Sequence, residues 1–308
     1  MQLAAPRNVT RRAIRDTRSD RVFALANNAL LTGLMLLVLY PLVYVVSASF
    51  SDPIAVSSGR VWLLPIEPTL VGYEAILKNK LLVTGFANSA FYTIAGTAIS
   101  VVLTILAAYP LSRVELPGRR FLTFAFYFTM LFSGGMIATY IVVRQLGMVN
   151  TRLAMLLPNA LSIFNLLVMR TYFQHNIPAE LHEAAQLDGC SEFTYLRRIV
   201  LPLSKPIVVV VALFYAVDQW NTYFTALVYL HDRALWPLQL VLREVVIQNK
   251  IDPTMLTGLD PLQLAIRSQL SQVLKFSLIV VAALPMLIAY PFVQRHFVKG
   301  VLLGSVKG

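Results

Sequence analysis

Long stretches without a single charged residue constrain this chain more than any other feature of its sequence. Residues 22–51 and 81–112 are windows of 30 and 32 consecutive uncharged residues, most of them apolar. A helix needs about 20 apolar residues to cross the roughly 30 Å hydrocarbon core of a bilayer. Only 13% of the 308 residues are charged, whereas soluble domains carry about 25%. The sequence therefore predicts an all-α integral membrane protein.

The apolar segments predict six transmembrane helices. They are expected at about 25–49, 86–110, 121–143, 153–169, 206–230 and 276–294, within a domain that covers residues 22–308. Residues 1–21 hold six arginines and predict a basic cytoplasmic tail. A cleaved signal peptide is the alternative, but its apolar core spans only about 7–15 residues. The first apolar window is far longer, so we expect it to be retained. The third span is interrupted by Ser133-Gly134-Gly135, and the fourth contains Pro158.

The distribution of cations predicts the orientation of these spans. Six spans place both termini on one side, and with that side inside, 16 of the 26 Lys and Arg residues lie in inner segments. The long outer segment 231–275 holds half of the other ten, and long loops weigh little in the positive-inside rule. The net charge of +11 is thereby explained without a nucleic-acid partner. The loop 170–205 is predicted to be cytoplasmic.

The most patterned polar segment of the chain is Glu183–Pro202, which reads EAAQLDGCSEFTYLRRIVLP. Pro178 suits the first turn of a helix, and Gly189 can end that helix in the left-handed conformation. Ser191 can cap a second short helix, whose continuation Pro202 limits. Two short helices that meet at a glycine would project from the membrane domain as a compact hairpin.

This segment resembles the EAA loop of ABC-importer permeases, EAA-x3-G-x9-I-x-LP, and all of the fixed positions are present. Further matching residues are Phe132-Ser133-Gly134-Gly135, Gly147, Asn150-Thr151, Asn165, Pro178 and Trp220-Asn221. Together they resemble the permease subunits of carbohydrate importers of the maltose type (type I). The FSGG run is similar in particular to the oligosaccharide branch, which includes permeases for pectin- and alginate-derived sugars. The resemblance covers residues 22–308 and implies the type I importer permease fold.

The resemblance implies an assembly in the bacterial cytoplasmic (inner) membrane. A second homologous permease, expected to form a heterodimer with this chain, two ATPase subunits and an extracytoplasmic solute-binding protein would take part. The chain contains no G-x4-G-K-[ST] phosphate loop, so it is not expected to be an enzyme, and ATP and Mg would bind to the ATPase subunits. By resemblance, Glu183, Ala184, Ala185 and Gly189 would dock in an ATPase groove, and Leu187, Asp188, Ile199, Leu201 and Pro202 would shape or support the docked helix.

A second set of candidates concerns the path of the sugar. The fifth predicted span carries Asp218, Trp220, Asn221 and Tyr223, and Asn165 lies in the fourth. Polar side chains can bind sugar hydroxyls, and an ionisable residue inside a span is a functional hypothesis by default. The same groups could instead bond to a neighbouring helix or to the partner permease. Trp220 and Tyr223, three residues apart, would share one face of a helix.

Two other classes of protein remain as alternatives. An ion-coupled secondary carrier would be expected to show internal repeats with paired broken spans, and no convincing repeat is visible. A non-transporting membrane scaffold would not purify with ATPase subunits. A zinc site at His182-Glu183 is rejected because Gln186 occupies the position at which a zinc-protease helix needs its second histidine.

Overall fold

The computed structural model describes residues 17–248 and 261–304, with side chains described for 17–245 and 269–291. Within these ranges all regular secondary structure is helical, and the predicted all-α class is confirmed. The α-helices are α1 Arg18–Ser49, α2 Pro53–Ser57, α3 Val71–Lys78, α4 Lys80–Ser112, α5 Arg119–Leu131, α6 Gly135–Gln145, α7 Leu153–Leu156, α8 Ile163–Asn176, α9 Ala179–Leu187, α10 Glu192–Tyr195, α11 Leu201–Leu203, α12 Lys205–Asn221, α13 Phe224–Tyr229, α14 Leu238–Gln248 and α15 Pro261–Gly304. A π-helical segment, Leu196–Val200, joins α10 to α11, and a 3-10 turn spans Arg233–Leu235. Most of the predicted basic tail, and residues 249–260 of the predicted outer segment, lie outside the described residues.

Three of the described helices are long and apolar enough to cross a membrane. They are α1, α4 and the part of α15 from Gln269 to Pro291. Two bent pairs would raise the number to five if each pair is one span. α5 and α6 meet at 111°, and the segment Glu192–Leu203 meets α12 at 83°. The count of six spans and the side on which the termini lie stay predictions.

The predicted third, fourth and fifth spans are broken helices. The third divides into α5 and α6, where Gly135 takes the positive φ of 76° that glycine adopts at little cost. The fourth divides into α7 and α8 around Pro158, whose ring cannot continue a helix, and α8 runs on to Asn176. The fifth ends at Asn221, where Thr222 is extended, and resumes as α13. The second span, in contrast, is one uninterrupted helix of 33 residues.

Helix α4 lies at the centre of the protein and packs on α8, α12 and α14. Its buried face carries small residues at helical spacing, including Gly85, Ser89, Gly96, Ser100 and Ala108. Such residues let membrane helices approach closely. At Gly96 a Cβ atom would lie 2.7 Å from the side-chain nitrogen of Gln219 on α12. The middle of α4 is therefore fixed by a contact that leaves no space for a side chain.

The end of α4 nearer Lys80 is held by the chain between α13 and α14. The side-chain amide of Asn88 donates to the carbonyl oxygens of Ala234, at 2.7 Å, and Trp236, at 3.1 Å. The Tyr92 hydroxyl donates to the Leu235 carbonyl at 2.8 Å, and the Leu238 backbone N–H donates to the Ser89 hydroxyl at 2.8 Å. We call these bonds the upper clamp (Asn88, Ser89 and Tyr92 with residues 234–238). Asn88, Ser89 and Tyr92 are all buried.

Candidate functional site: the α9–α11 hairpin

The first arm of the patterned loop is helix α9, and it ends as the sequence predicts. Pro178 is extended and directly precedes α9. Gly189 has φ 72°, and the N–H of Cys190 donates to the Ala185 carbonyl at 2.9 Å. No atom outside the chain neighbours of Gly189 lies within 4 Å of the position that its Cβ would occupy. Backbone conformation, not lack of space, is therefore what demands glycine at this turn.

The second arm begins as predicted and ends differently. Ser191 caps α10 and its hydroxyl accepts a hydrogen bond from the Thr194 N–H at 3.4 Å. Pro202 does not stop the helix, which continues through a π-helical segment and α11 to Leu203. Proline has no N–H, and its ring clashes with the carbonyl four residues earlier in a regular helix. The wider π turn, which adds one residue, precedes Pro202 and lets the chain remain helical. Residues 178–203 are called the hairpin below.

The hairpin exposes most of the residues that the motif singles out. Glu183, Ala184, Asp188 and Gly189 are exposed, and the Leu187 side chain is 90% accessible. Leu187 therefore adds apolar area to the exposed part of the hairpin.

The supporting positions of the motif lie deeper. Ala185 is only 7% exposed and belongs to the core that α4, α8 and α12 form, so Ala184 is the exposed alanine of the pair. Ile199 and Leu201 pack against the same core, whereas Pro202 is exposed. Ile199 and Leu201 thus support the hairpin from below.

A polar network that the sequence did not indicate joins the hairpin to α4. The Nε2 atom of His182 lies 2.7 Å from Oε1 of Glu192 and ties α9 to α10. The other oxygen of Glu192 accepts a hydrogen bond from the hydroxyl of Tyr109, in the last turns of α4. The bond from Tyr109, followed by the bond and charge of His182, holds the pKa of Glu192 below its ordinary value, although partial burial opposes this. His182, noted in the sequence only as half of a failed zinc motif, therefore positions Glu192.

Two residues of α8, the helix before the hairpin, also bond to the end of α4. Arg170 donates from Nε to the Leu111 carbonyl at 3.0 Å, and Gln174 donates to the Ser112 carbonyl at 3.4 Å. These carbonyls belong to the last turn of α4 and have no partner within the helix. A cavity of about 130 Å³ lies beside them, lined by α4, α8, α9, the residues that follow α4 and Val200. The end of α4 is thus joined to the hairpin and to α8 by polar contacts beside the cavity, in addition to the apolar core that α4 shares with the hairpin. We call these contacts the lower link (Tyr109, Leu111 and Ser112 with Glu192, Arg170 and Gln174).

The candidates for the sugar path are separated by the structure. Trp220 is 3% exposed; its indole N–H donates to the Ala282 carbonyl of α15 at 2.8 Å, and its ring meets Phe86 edge-on at 5.6 Å. The expectation that Trp220 shares a helical face with Tyr223 is wrong, because α12 ends at Asn221. Trp220 packs in the core and does not lie on a free surface.

The remaining candidates differ in exposure. Asp218, Asn221 and Tyr223 are exposed near the end of α12, and the Asn221 amide donates to the Val217 carbonyl at 2.8 Å. Asn165 is buried in the first turn of α8. The free surface at the end of α12 is therefore formed by Asp218, Asn221 and Tyr223.

Comparisons with known proteins give one consistent result. Residues 100–303 match the family described as "Binding-protein-dependent transport system inner membrane component". Protein LplC of Bacillus subtilis is 42% identical over 95% of this chain and 97% of its own. The polygalacturonan/rhamnogalacturonan transport system permease protein YtcP of the same organism is also 42% identical, over 94% of this chain and 99% of its own. A chain from the crystal structure of a bacterial ABC transporter involved in the import of the acidic polysaccharide alginate superposes with a TM-score of 0.86, at 35% identity, over 92% of this chain and 100% of that one.

Proposed function

We propose that this chain, which belongs to the family of binding-protein-dependent transport system inner membrane components, forms a translocation path for an acidic oligosaccharide. It is a permease subunit of a bacterial ABC importer, and ATP hydrolysis in this family lies in separate subunits. The complex that we propose contains a second homologous permease, two ATPase subunits with their ATP and Mg, and an extracytoplasmic solute-binding protein. This chain itself binds no cofactor.

The exposed tip of the hairpin is the observation that carries the coupling role. Glu183, Ala184 and Leu187 form one exposed surface on α9, and Gly189 turns the chain back at its end. Ala184 lets a partner approach the backbone, Leu187 supplies apolar area, and Glu183 supplies charge. An ATPase groove that receives this tip would move it as the ATPases close. The core contacts of Ala185 and the lower link would then pass the displacement to α4 and α12.

The acidic substrate is proposed from the relatives. One relative is named for polygalacturonan and rhamnogalacturonan, and the superposed structure is of an importer of an acidic polysaccharide. Together with the FSGG run at residues 132–135, these names favour an oligosaccharide that carries carboxylates. Asp218, Asn221 and Tyr223, on the free surface at the end of α12, are the proposed contacts of the sugar within the path.

Charge reversal at the hairpin tests the coupling role. Glu183→Lys should leave the protein in the membrane but abolish co-purification of the ATPase subunits and binding-protein-stimulated ATP hydrolysis in liposomes. Glu74→Lys is the control, because Glu74 is also an exposed glutamate, on α3 outside the hairpin, where its only ion pair is an exposed one with Lys78 among the residues with described side chains. Co-purification and hydrolysis at wild-type levels in Glu183→Lys would exclude docking at this position.

The substrate is tested separately, on the solute-binding protein. Acidic oligosaccharides should raise the temperature at which that protein unfolds, and their carboxyl-reduced forms should not. Stabilisation by neutral sugars alone would refute the acidic substrate and would leave the coupling role untouched.

A further inference from the structure

One arginine stands out among the described cations because it is exposed, firmly placed and without an acidic partner. The guanidinium of Arg152 lies 4.7 Å from the centroid of the Phe91 ring. Arg152 is exposed, and the Phe91 side chain is 40% accessible. None of the ion pairs among the residues with described side chains includes Arg152. The positive charge is thus available to a ligand.

The turn that carries Arg152 is anchored on both sides. Asn150 has φ 58°; its N–H donates to the Tyr229 carbonyl at 2.8 Å, and its side-chain oxygen accepts from the N–H groups of His231 and Asp232 at 3.0 and 2.8 Å. The next element, α7, is buried at Ala154 and Met155. A backbone fixed in this way holds Arg152 beside Phe91, as binding sites on rigid supports require.

The position of the pair along α4 places it at the level where a substrate would enter. The rise from Phe91 to Ser112, the end next to the hairpin, is roughly 31 Å at about 1.5 Å per residue. The hydrocarbon core is about 30 Å thick, so Phe91 lies near the boundary opposite the hairpin. A charge at that boundary is stable when it faces water or a polar group and not lipid.

A second arginine that lies over an aromatic ring, Arg233, differs from Arg152 because its charge is paired. Arg233 also lies over an aromatic ring, that of Trp236, at 5.4 Å. Its guanidinium, however, is 2.8 Å from the Glu244 carboxylate, which satisfies its charge. Arg233 therefore needs no ligand, and it serves as the matched control for Arg152.

We propose that Arg152 and Phe91 form a subsite that receives a carboxylate-bearing sugar unit at the outer mouth of the translocation path. The guanidinium presents a planar pair of donors that matches a carboxylate, and the exposed part of the Phe91 ring packs against the apolar face of the sugar. The inference rests on the proposed import of an acidic oligosaccharide and names residues of this chain that select for the acid.

Transport kinetics of the complete importer in liposomes test the subsite. The probes are an oligogalacturonate, an oligomannuronate and the carboxyl-reduced form of each. Arg152→Gln should raise KM for the imported acidic probe at least about tenfold, the loss expected when a hydrogen bond between charged groups is removed. It should leave kcat and ATPase assembly unchanged. Arg152→Lys should restore part of the affinity. Arg233→Gln should prefer the acidic probe over its carboxyl-reduced form, as the wild type does.

A second measurement reports occupancy without transport. Cys190 is the only cysteine, so Cys190→Ser with Leu153→Cys places a single thiol beside Arg152, at a half-exposed position. The imported acidic probe should slow maleimide labelling of this thiol, and Arg152→Gln in the same background should abolish the protection.

The outcomes separate this inference from the proposed function. Import of the acidic probe with the same KM in Arg152→Gln, or labelling that no probe slows, overturns the subsite and leaves the acidic importer standing. If Arg152→Gln raises KM equally for the acidic and the carboxyl-reduced probes, the subsite is also overturned, because such a result indicates a purely structural role. Import of reduced probes alone overturns the acidic substrate and the subsite together.

Discussion

The two ends of α4 are attached to the rest of the protein in different ways. At the upper clamp, buried neutral side chains of α4 bond to backbone groups of residues 234–238. At the lower link, the Tyr109 hydroxyl bonds to the carboxylate of Glu192, whose side chain is 59% exposed, and a cavity lies beside it. A buried side chain that loses its partner is left without a hydrogen bond at a cost in free energy, whereas an exposed carboxylate can rearrange with little cost in desolvation. We infer that the polar bonds of α4 are fixed at the end nearer Lys80 and adjustable at the end that meets the hairpin.

The hairpin turn should give the largest effect. Gly189→Ala strains a left-handed turn by about 1–2 kcal/mol and should lower transport more than tenfold through loss of ATPase docking. Gly59→Ala is the matched control, since Gly59 has φ 69° against 72° for Gly189 and equally open surroundings. It should transport like the wild type. Transport and ATPase co-purification are the measurements. If both variants lose transport equally, strain at any left-handed glycine is enough to explain the loss. That result would refute a special role for the hairpin turn.

The tight contact in the middle of α4 should give the next largest effect. Gly96→Val places methyl groups against Gln219, and overpacking of this kind costs about 1–3 kcal/mol. The detergent-solubilised protein should unfold at a lower temperature. Adding Gln219→Ala should recover part of the loss, while Gly33→Val, in a helix where no atom lies within 4 Å of the added Cβ, should not lower the unfolding temperature. Unchanged unfolding in Gly96→Val would mean that α4 and α12 separate easily and do not move together.

Removal of one bond from each end of α4 compares the two directly. Asn88→Ala removes a buried side chain that donates to the carbonyls of Ala234 and Trp236, and we expect a loss of stability of about 1 kcal/mol or more. Glu192→Gln keeps the shape of an exposed side chain and should lower stability by less than about 1 kcal/mol, while it reduces stimulated ATP hydrolysis. Thermal unfolding and hydrolysis are measured on the same samples. The reverse ranking of stability would invert the assignment of the fixed and adjustable ends.

The smallest effect is the pH dependence of the lower link. The pKa of Glu192 lies below its ordinary value of 4.5 in the folded protein, chiefly because of the Tyr109 hydrogen bond. The carboxylate therefore contributes its stabilisation above pH 4.5, and this contribution is lost as the pH falls through the lowered value. The comparison is made between the His182→Gln protein and the same protein with Glu192→Gln added. Their difference in unfolding temperature should be constant from about pH 8 to 5 and should disappear in stronger acid. A difference that fades near neutral pH would contradict this.

The sequence predicted those features that depend on local rules. Charge-free windows longer than a bilayer predicted the membrane helices, and Gly189 and Ser191 predicted the turn and the cap of the hairpin, because each acts through its own backbone or that of near neighbours. The burial of Trp220 was missed because its partner, the Ala282 carbonyl, is 62 residues away in the chain. Tyr109 and Glu192, 83 residues apart, are joined only by the way in which α4 and the hairpin pack.

The orientation of α9 also depends on tertiary packing and could not be predicted from the motif. Ala184 and Ala185 are equivalent in composition, and only the position of the core on α9 decides that the first is exposed and the second buried. Successive residues on a helix point about 100° apart, so a surface that accepts one alanine excludes the other. The motif predicts that a small-residue surface exists, and tertiary packing selects its members.

The π-helical segment Leu196–Val200 offers a physical reason for the fixed number of nine residues between Gly189 and Ile199. One residue more than a regular helix requires is stored in that turn. Deletion of it would shorten the arm by only about 1.5 Å but would rotate everything before it by about 100° about the helix axis. Leu187 and Glu183 would then point away from the direction in which they now project. The fixed spacing of this motif therefore sets the direction in which the exposed tip of the hairpin projects, far more than it sets the length of the arm.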